Sequence, residues 1–371
     1  MKRLLAPVSV LVFAVVWSSA IARHGTPAEP LGWDAKAAAS YLDNRADWWT
    51  TWQNAKRDHG TFCISCHTTL PYVLARPALR RVLGEPEPSG PEAKVIGNLL
   101  GRTRMWRDIE PFYPDQTRGV PKTSESRAIE SVMNALVLAR RDAETGHLSD
   151  DTKTALANMW ALQMKTGPQT GAWTWLNFGY EPWESPNSPY FGAAMAALAV
   201  GSAPDGYATA PEIQDNLTQL RSYFQKQFEH ESLHNRLVAV WVSSVVPDLL
   251  TADERRAAID QASALQQADG GWNAPALGPY KRVDNTPSAS GSDSYATALA
   301  VLAFENTGVS QSDPRVAKGL EWLRRNQNRT TGEWPASSLN KNRDPESDPG
   351  KFMSDAATAY AVLALTANAS K

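Results

Sequence analysis

From Ala35 onward, apolar residues recur at three- and four-residue intervals, and no run alternates between apolar and polar positions for the length of a strand. This periodicity, read with the Gly and Pro punctuation, predicts twelve helices in six consecutive pairs. The first members fall near 35–57, 91–106, 151–163, 211–229, 252–267 and 313–327. The second members fall near 68–83, 124–141, 189–200, 232–249, 293–305 and 354–367. First members carry charge along one side, as in DERRAAIDQASALQQ and DPRVAKGLEWLRRNQ. Several second members are Ala, Val and Leu nearly all round, as in YFGAAMAALAVG and DAATAYAVLAL. A helix polar on one side belongs outside, and one apolar all round must be covered on every side. Six such pairs fit two layers of helices, in a closed double ring or an open solenoid.

The links are unequal. Those inside a pair include the long ones, 107–123, 164–188, 268–292 and 328–353, whereas those between pairs are mostly short. Links of one kind emerge at one end of such a two-layer array. The long loops therefore gather on one face, and long ordered loops commonly carry function.

Three of these loops begin alike, with LQMKTGPQTGAW (162–173), QQADGGW (266–272) and RNQNRTTGEW (325–334). A Gln near a helix end followed by Gly-x-Trp resembles the repeat of the squalene–hopene cyclase and prenyltransferase toroids. The resemblance runs through all six pairs and is most specific over residues 155–371. It implies a closed, all-α (α/α)6 toroid in which the Gln bonds helix-end backbone and the Trp packs on the next repeat. The enzymology does not follow. The resemblance implies an Asp-x-Asp-Asp acid at an inner-helix start, whereas the fifth and sixth inner helices begin GSDSYATALA and MSDAATAYA, with one aspartate each. Asp293 and Asp355 both suit helix caps. Terpene cyclisation is not expected.

The 371 residues carry a net charge of −2 and no basic block, which excludes a nucleic-acid partner. Lys2 and Arg3, an apolar run and Ala20-Ile21-Ala22 make the layout of an export signal, with a retained anchor as the other reading. The expected division is a signal over 1–22 and the toroid over 23–371, periplasmic or secreted, without a membrane span after signal removal.

In that setting the stretch FCISCHTTLPY (62–72) is the chief chemical motif, because it holds the only two cysteines of the chain. Two thiols three apart in an oxidising compartment are expected to be a disulfide, a zinc site or a haem attachment. Cys-x-x-Cys-His is the haem c pattern: Cys63 and Cys66 form thioethers, and His67 becomes the proximal iron ligand. In a closed ring the link ending KFMSD lies beside this one, which makes Met353 the expected distal metal ligand, with a vacant position open to a small ligand as the other reading.

The loop GAWTWLNFGYEPWESPNSPYFG (171–192) supplies Trp173, Trp175, Tyr180 and Glu181 as cavity candidates. Inner-helix starts add Glu125, His234, Asp293 and Asp355. Such an aromatic wall either binds a flat ligand or sugar or plugs the barrel mouth. The expectation is an exported protein with one covalent haem c, serving electron transfer or redox chemistry with a partner protein or a small-molecule substrate. The alternative is a non-haem (α/α)6 enzyme or binding scaffold for glycans or isoprenoid-like ligands. In that case the cysteines pair as a disulfide, and acids such as Glu181 and Glu125 are paired.

Overall fold

The computed structural model describes residues 32–115 and 122–367. The expected signal segment, 1–22, lies outside the described residues. Among the described residues there are twelve α-helices: α1 (Ala35–Thr51), α2 (Thr69–Leu83), α3 (Gly90–Arg104), α4 (Lys122–Thr145), α5 (Asp150–Ala161) and α6 (Ser188–Ser202) in the first half. The second half holds α7 (Gln214–Gln227), α8 (Leu233–Val242), α9 (Ala252–Ala264), α10 (Ser294–Asn306), α11 (Pro314–Asn326) and α12 (Phe352–Thr366). No strand forms among the described residues, which show only isolated bridges such as Lys56 with Phe62 and Tyr180 with Glu184.

The even-numbered helices make a closed ring. Each packs on the next from α2 to α12, and α12 returns to α2. The odd-numbered helices lie outside them, so the chain is an all-α (α/α)6 toroid. The apolar helices take the inner positions as their composition requires: α6 is buried without a break from Ser188 to Val200, and α10 from Ser294 to Phe304.

The Gln-Gly-x-Trp loops hold neighbouring repeats together. Gln163 Nε2 donates to the Gly171 carbonyl of its own loop and to the Asn216 carbonyl in the next outer helix. Gln266 does the same with Gly270 and Arg315, and Gln327 with Gly332 and Asp34. Trp173, Trp272 and Trp334 donate Nε1 back to Met159, Ala262 and Leu323 of the preceding outer helix, while the Trp272 ring packs at Gly319 of α11 and Trp334 lies 5.7 Å from Trp33, as expected of rings that meet the next repeat. The Gln amide bridges the joint by reaching two carbonyls at once, and the Trp ring packs beside it.

Because Asp34 caps α1, the Gln327 contact closes the ring, and Asp34 N returns a 2.7 Å bond to Gln327 Oε1. A second clasp lies deeper. Asp355 on α12 accepts from Tyr41 and Arg45 of α1 and from Thr68, just before α2.

Two predicted helices are too long. α1 stops at Thr51, where Trp52 turns extended (ψ 128°) and Trp52 N still bonds the Trp48 and Trp49 carbonyls. α8 stops at Val242, where the Ser243 and Ser244 hydroxyls bond back to Val240 and Trp241. Apolar periodicity continues past both ends, but there the apolar side chains serve loop packing. No described helix is long and apolar enough to cross a membrane.

Candidate functional site

All the long links of the inner-helix starts face one end of the ring, and four links enclose a cavity of about 310 Å³ there. The link 52–68 forms its floor. Cys63 N donates to the Ala55 carbonyl, Trp49 Nε1 donates to the Cys63 carbonyl at 2.7 Å, and Asn98 holds both backbone groups of Phe62. Ser65 Oγ then accepts from the amides of Thr68 and Thr69, which starts α2 and fixes His67 beside it.

The opposing wall is the α5–α6 loop. Tyr180 and Glu184 exchange backbone hydrogen bonds at 2.9 and 2.8 Å, which makes a tight turn of residues 180–184. Asn340, from the α11–α12 link, clamps this turn at Glu181. Its Oδ1 accepts from Glu181 N at 2.6 Å, and its Nδ2 donates to the Glu181 carbonyl at 3.0 Å. Tyr113 and Phe178, edge to face at 5.3 Å, close one side.

Burial sets the charges. It pushes the Glu184 carboxyl up to about 7, against the opposing charge of Lys122. It raises Glu181 too, against a hydrogen bond from Ser185. The Cys63 thiol is pushed up to about 11 and Cys66 well above its ordinary value, so both are protonated at neutral pH. Both are free thiols, so the expected disulfide is not formed.

Of the residues named from sequence, the cavity gathers Cys63, His67, Tyr180, Glu181 and Met353. Cys66 is buried beside the floor without lining it. Several cavity candidates are engaged elsewhere. Trp173 belongs to the repeat loop, and Trp175 packs on Gly192, where a Cβ would lie 2.2 Å from its ring. Glu125 bonds Lys122 and the Asn177 amide. His234 is buried between the Tyr295 hydroxyl (2.7 Å) and Asn235, and burial lowers it to about 4. Asp293 caps α10 by accepting from the Tyr295 and Ala296 amides, and Asp355 is spent on ring closure. Sequence reasoning missed Trp49, Trp52, Phe352, Asn340 and Arg343 as lining residues. The run WWTTW at the end of α1 was an available signal for the first two, because an outer helix seldom needs three tryptophans in its last turn.

The expectation of a covalent haem, with Cys63 and Cys66 as attachment points and iron held by His67 and Met353, is corrected. His67 is built into an aromatic stack. Its ring lies on Phe352 with centroids 3.9 Å apart, Trp49 meets it edge-on at 5.2 Å, and Nδ1 bonds the Thr68 hydroxyl at 2.9 Å. Burial drives it down to about 3. Among the described residues, no three His, Cys, Asp or Glu side chains converge as metal ligands. The roles of haem binding, iron-dependent redox chemistry and electron transfer are withdrawn with it.

No protein-family model matches the chain, and no curated protein matches its sequence. Solved structures with a similar chain trace carry glycosidase names. The GH76A alpha-1,6-mannanase from Salegentibacter sp. HEL1_6 shares 10% identity at a TM-score of 0.49, over 89% of this chain and 100% of that one. A possible GH105 family member from Klebsiella pneumoniae shares 13% at 0.47, over 96% and 98%. An ent-copalyl diphosphate synthase from Streptomyces platensis shares 14% at 0.32, over 89% of this chain and half of that one. At these identities and scores the matches say nothing about the chemistry of this chain.

Proposed function

We propose that this toroid is a non-haem protein that binds a glycan in the aromatic cavity and hydrolyses it there. The observation that carries the reading is the pairing of aromatic walls with Glu181 and Glu184 on one clamped turn. A sugar ring has an apolar face that stacks on rings such as Trp52 and Trp183, and a hydroxyl edge that carboxyls and the Ser338 hydroxyl can bond. A carboxyl that keeps its proton close to neutrality is suited to protonate a leaving glycosidic oxygen. Glu184 has that property, and Glu181 is the second carboxyl such a hydrolysis requires, taking the proton of the attacking water. The export pattern in the sequence supports an extracellular or periplasmic saccharide as the substrate.

The test is reducing-sugar release from a panel of α- and β-linked oligosaccharides by wild type and Glu184→Gln. Activity in the wild type that drops ~10²- to 10⁴-fold in the variant is expected for loss of a general acid. A folded protein that neither binds nor cleaves any saccharide would overturn the reading. So would an exported product that is coloured and heavier than its own chain.

A further inference from the structure

Resting on the glycan reading, we infer that the ligand of this cavity is acidic, a saccharide whose carboxylate pairs with Arg343. The guanidinium lines the cavity and is half-buried, yet Arg343 makes no hydrogen bond or ion pair with any described residue. Two other arginines of the links and helices around this end are committed. Arg45 is tied to Asp348 and Asp355, and Arg57 lies over Tyr113 and bonds the carbonyls of Asn54 and Lys56. The acids close to Arg343 in sequence are committed as well: Asp344 accepts from the Glu346 amide, and Glu346 pairs with Lys351.

The position is preset. Asn340 is locked to Glu181, the Asn342 amide donates to Asp284 at 2.7 Å, and the Asp344 carbonyl accepts from both the amide and hydroxyl of Ser347. Arg343 stands between these anchors, so its backbone does not have to move to reach a ligand. Its charge is felt at His67, where, after burial and Arg45, it helps to lower the imidazole. A planar, always-charged fork held half out of water without a partner matches a carboxylate through two parallel hydrogen bonds.

The experiment titrates tryptophan fluorescence with glucuronate-containing oligosaccharides and with the same oligosaccharides after carboxyl reduction. In parallel it uses an anionic dye, 1-anilinonaphthalene-8-sulfonate, and its neutral relative N-phenyl-1-naphthylamine. The acidic partner of each pair should bind ~10- to 100-fold more tightly, the weight of one charge-assisted contact. Arg343→Gln should erase that preference while leaving the neutral partners within about threefold, a shift well under one such contact. Arg343→Lys, which keeps the charge but not the fork, should fall between. Equal affinity of acidic and neutral forms, or an unchanged preference in Arg343→Gln, overturns the inference; neutral saccharides that still bind then leave the glycan reading standing. Dyes that obey Arg343 while no saccharide binds would overturn the glycan reading and keep the anion site. Absence of all binding overturns both.

Discussion

Individual residues in this protein are governed by what burial does to a proton. Glu184 holds one up to about 7 in the fold, whereas an ordinary glutamate in the unfolded chain releases it near 4.5. Below 4.5 both states are protonated. Between 4.5 and 7 only the folded state keeps the proton, so this group's contribution to stability falls as pH rises through that window. Glu184→Gln mimics the protonated form, so the variant should gain on the wild type by ~2 kcal/mol from pH 5 to pH 8, discounted for exposure to the cavity. Urea melts of both proteins at the two pH values check this; a pH-independent difference would show that Glu184 ionises freely in the fold. Burial raises the aspartates at the inner-helix starts as well, Asp293 to about 6, but their positions differ from that of Glu184. Asp293 and Asp355 are occupied by helix amides and by Arg45, and neither lines the cavity, so neither is placed to protonate a polyprene there. Squalene incubated with the protein should come back unchanged, and a cyclic product lost in Asp293→Asn would contradict that assignment. The capping role of Asp293 was legible in its place before an apolar helix. The ion pair of Asp355 was not, because Arg45 lies 310 positions away.

At the scale of elements, the helices followed periodicity closely because sidedness and burial are one property seen twice. α5, α9 and α11 lie within three residues of their predicted ends. The links were harder, since loop conformation depends on contacts from distant repeats. Gly332 shows how tight these are: at φ +87° it passes so near α1 that a Cβ would lie 2.0 Å from the Ala37 carbonyl oxygen. Gly332→Ala combines a left-handed backbone with displacement of α1 and should cost about 3 kcal/mol or more. Gly146→Ala, at φ +71° with nothing within 4 Å, should cost only about 1 kcal/mol. Denaturation midpoints compare the two directly, and equal losses would remove the argument for close approach between repeats.

For the molecule as a whole, stability depends on joining the last repeat to the first. Asp355→Asn leaves Arg45 buried with only the half-exposed Asp348 and should lower stability by roughly 3 kcal/mol, as breaking a buried pair does. An unaltered midpoint in equilibrium unfolding would mean that the ring is held by apolar packing alone. Patterning along the chain was enough to determine an all-α, two-layer architecture with its long loops at one end, because which side of a helix is apolar decides which side is covered. The Gln-Gly-x-Trp motif was enough to mark the joints between repeats. Only the tertiary structure decided the cavity: which rings of α1, α12 and three separate links line it, that His67 stacks on Phe352, and that Arg343 faces it without a hydrogen-bond partner among the described residues. The reason is physical. Helix sidedness is written in neighbours three and four residues apart, whereas the ionisation and contacts of a cavity residue depend on groups brought together from across the whole ring.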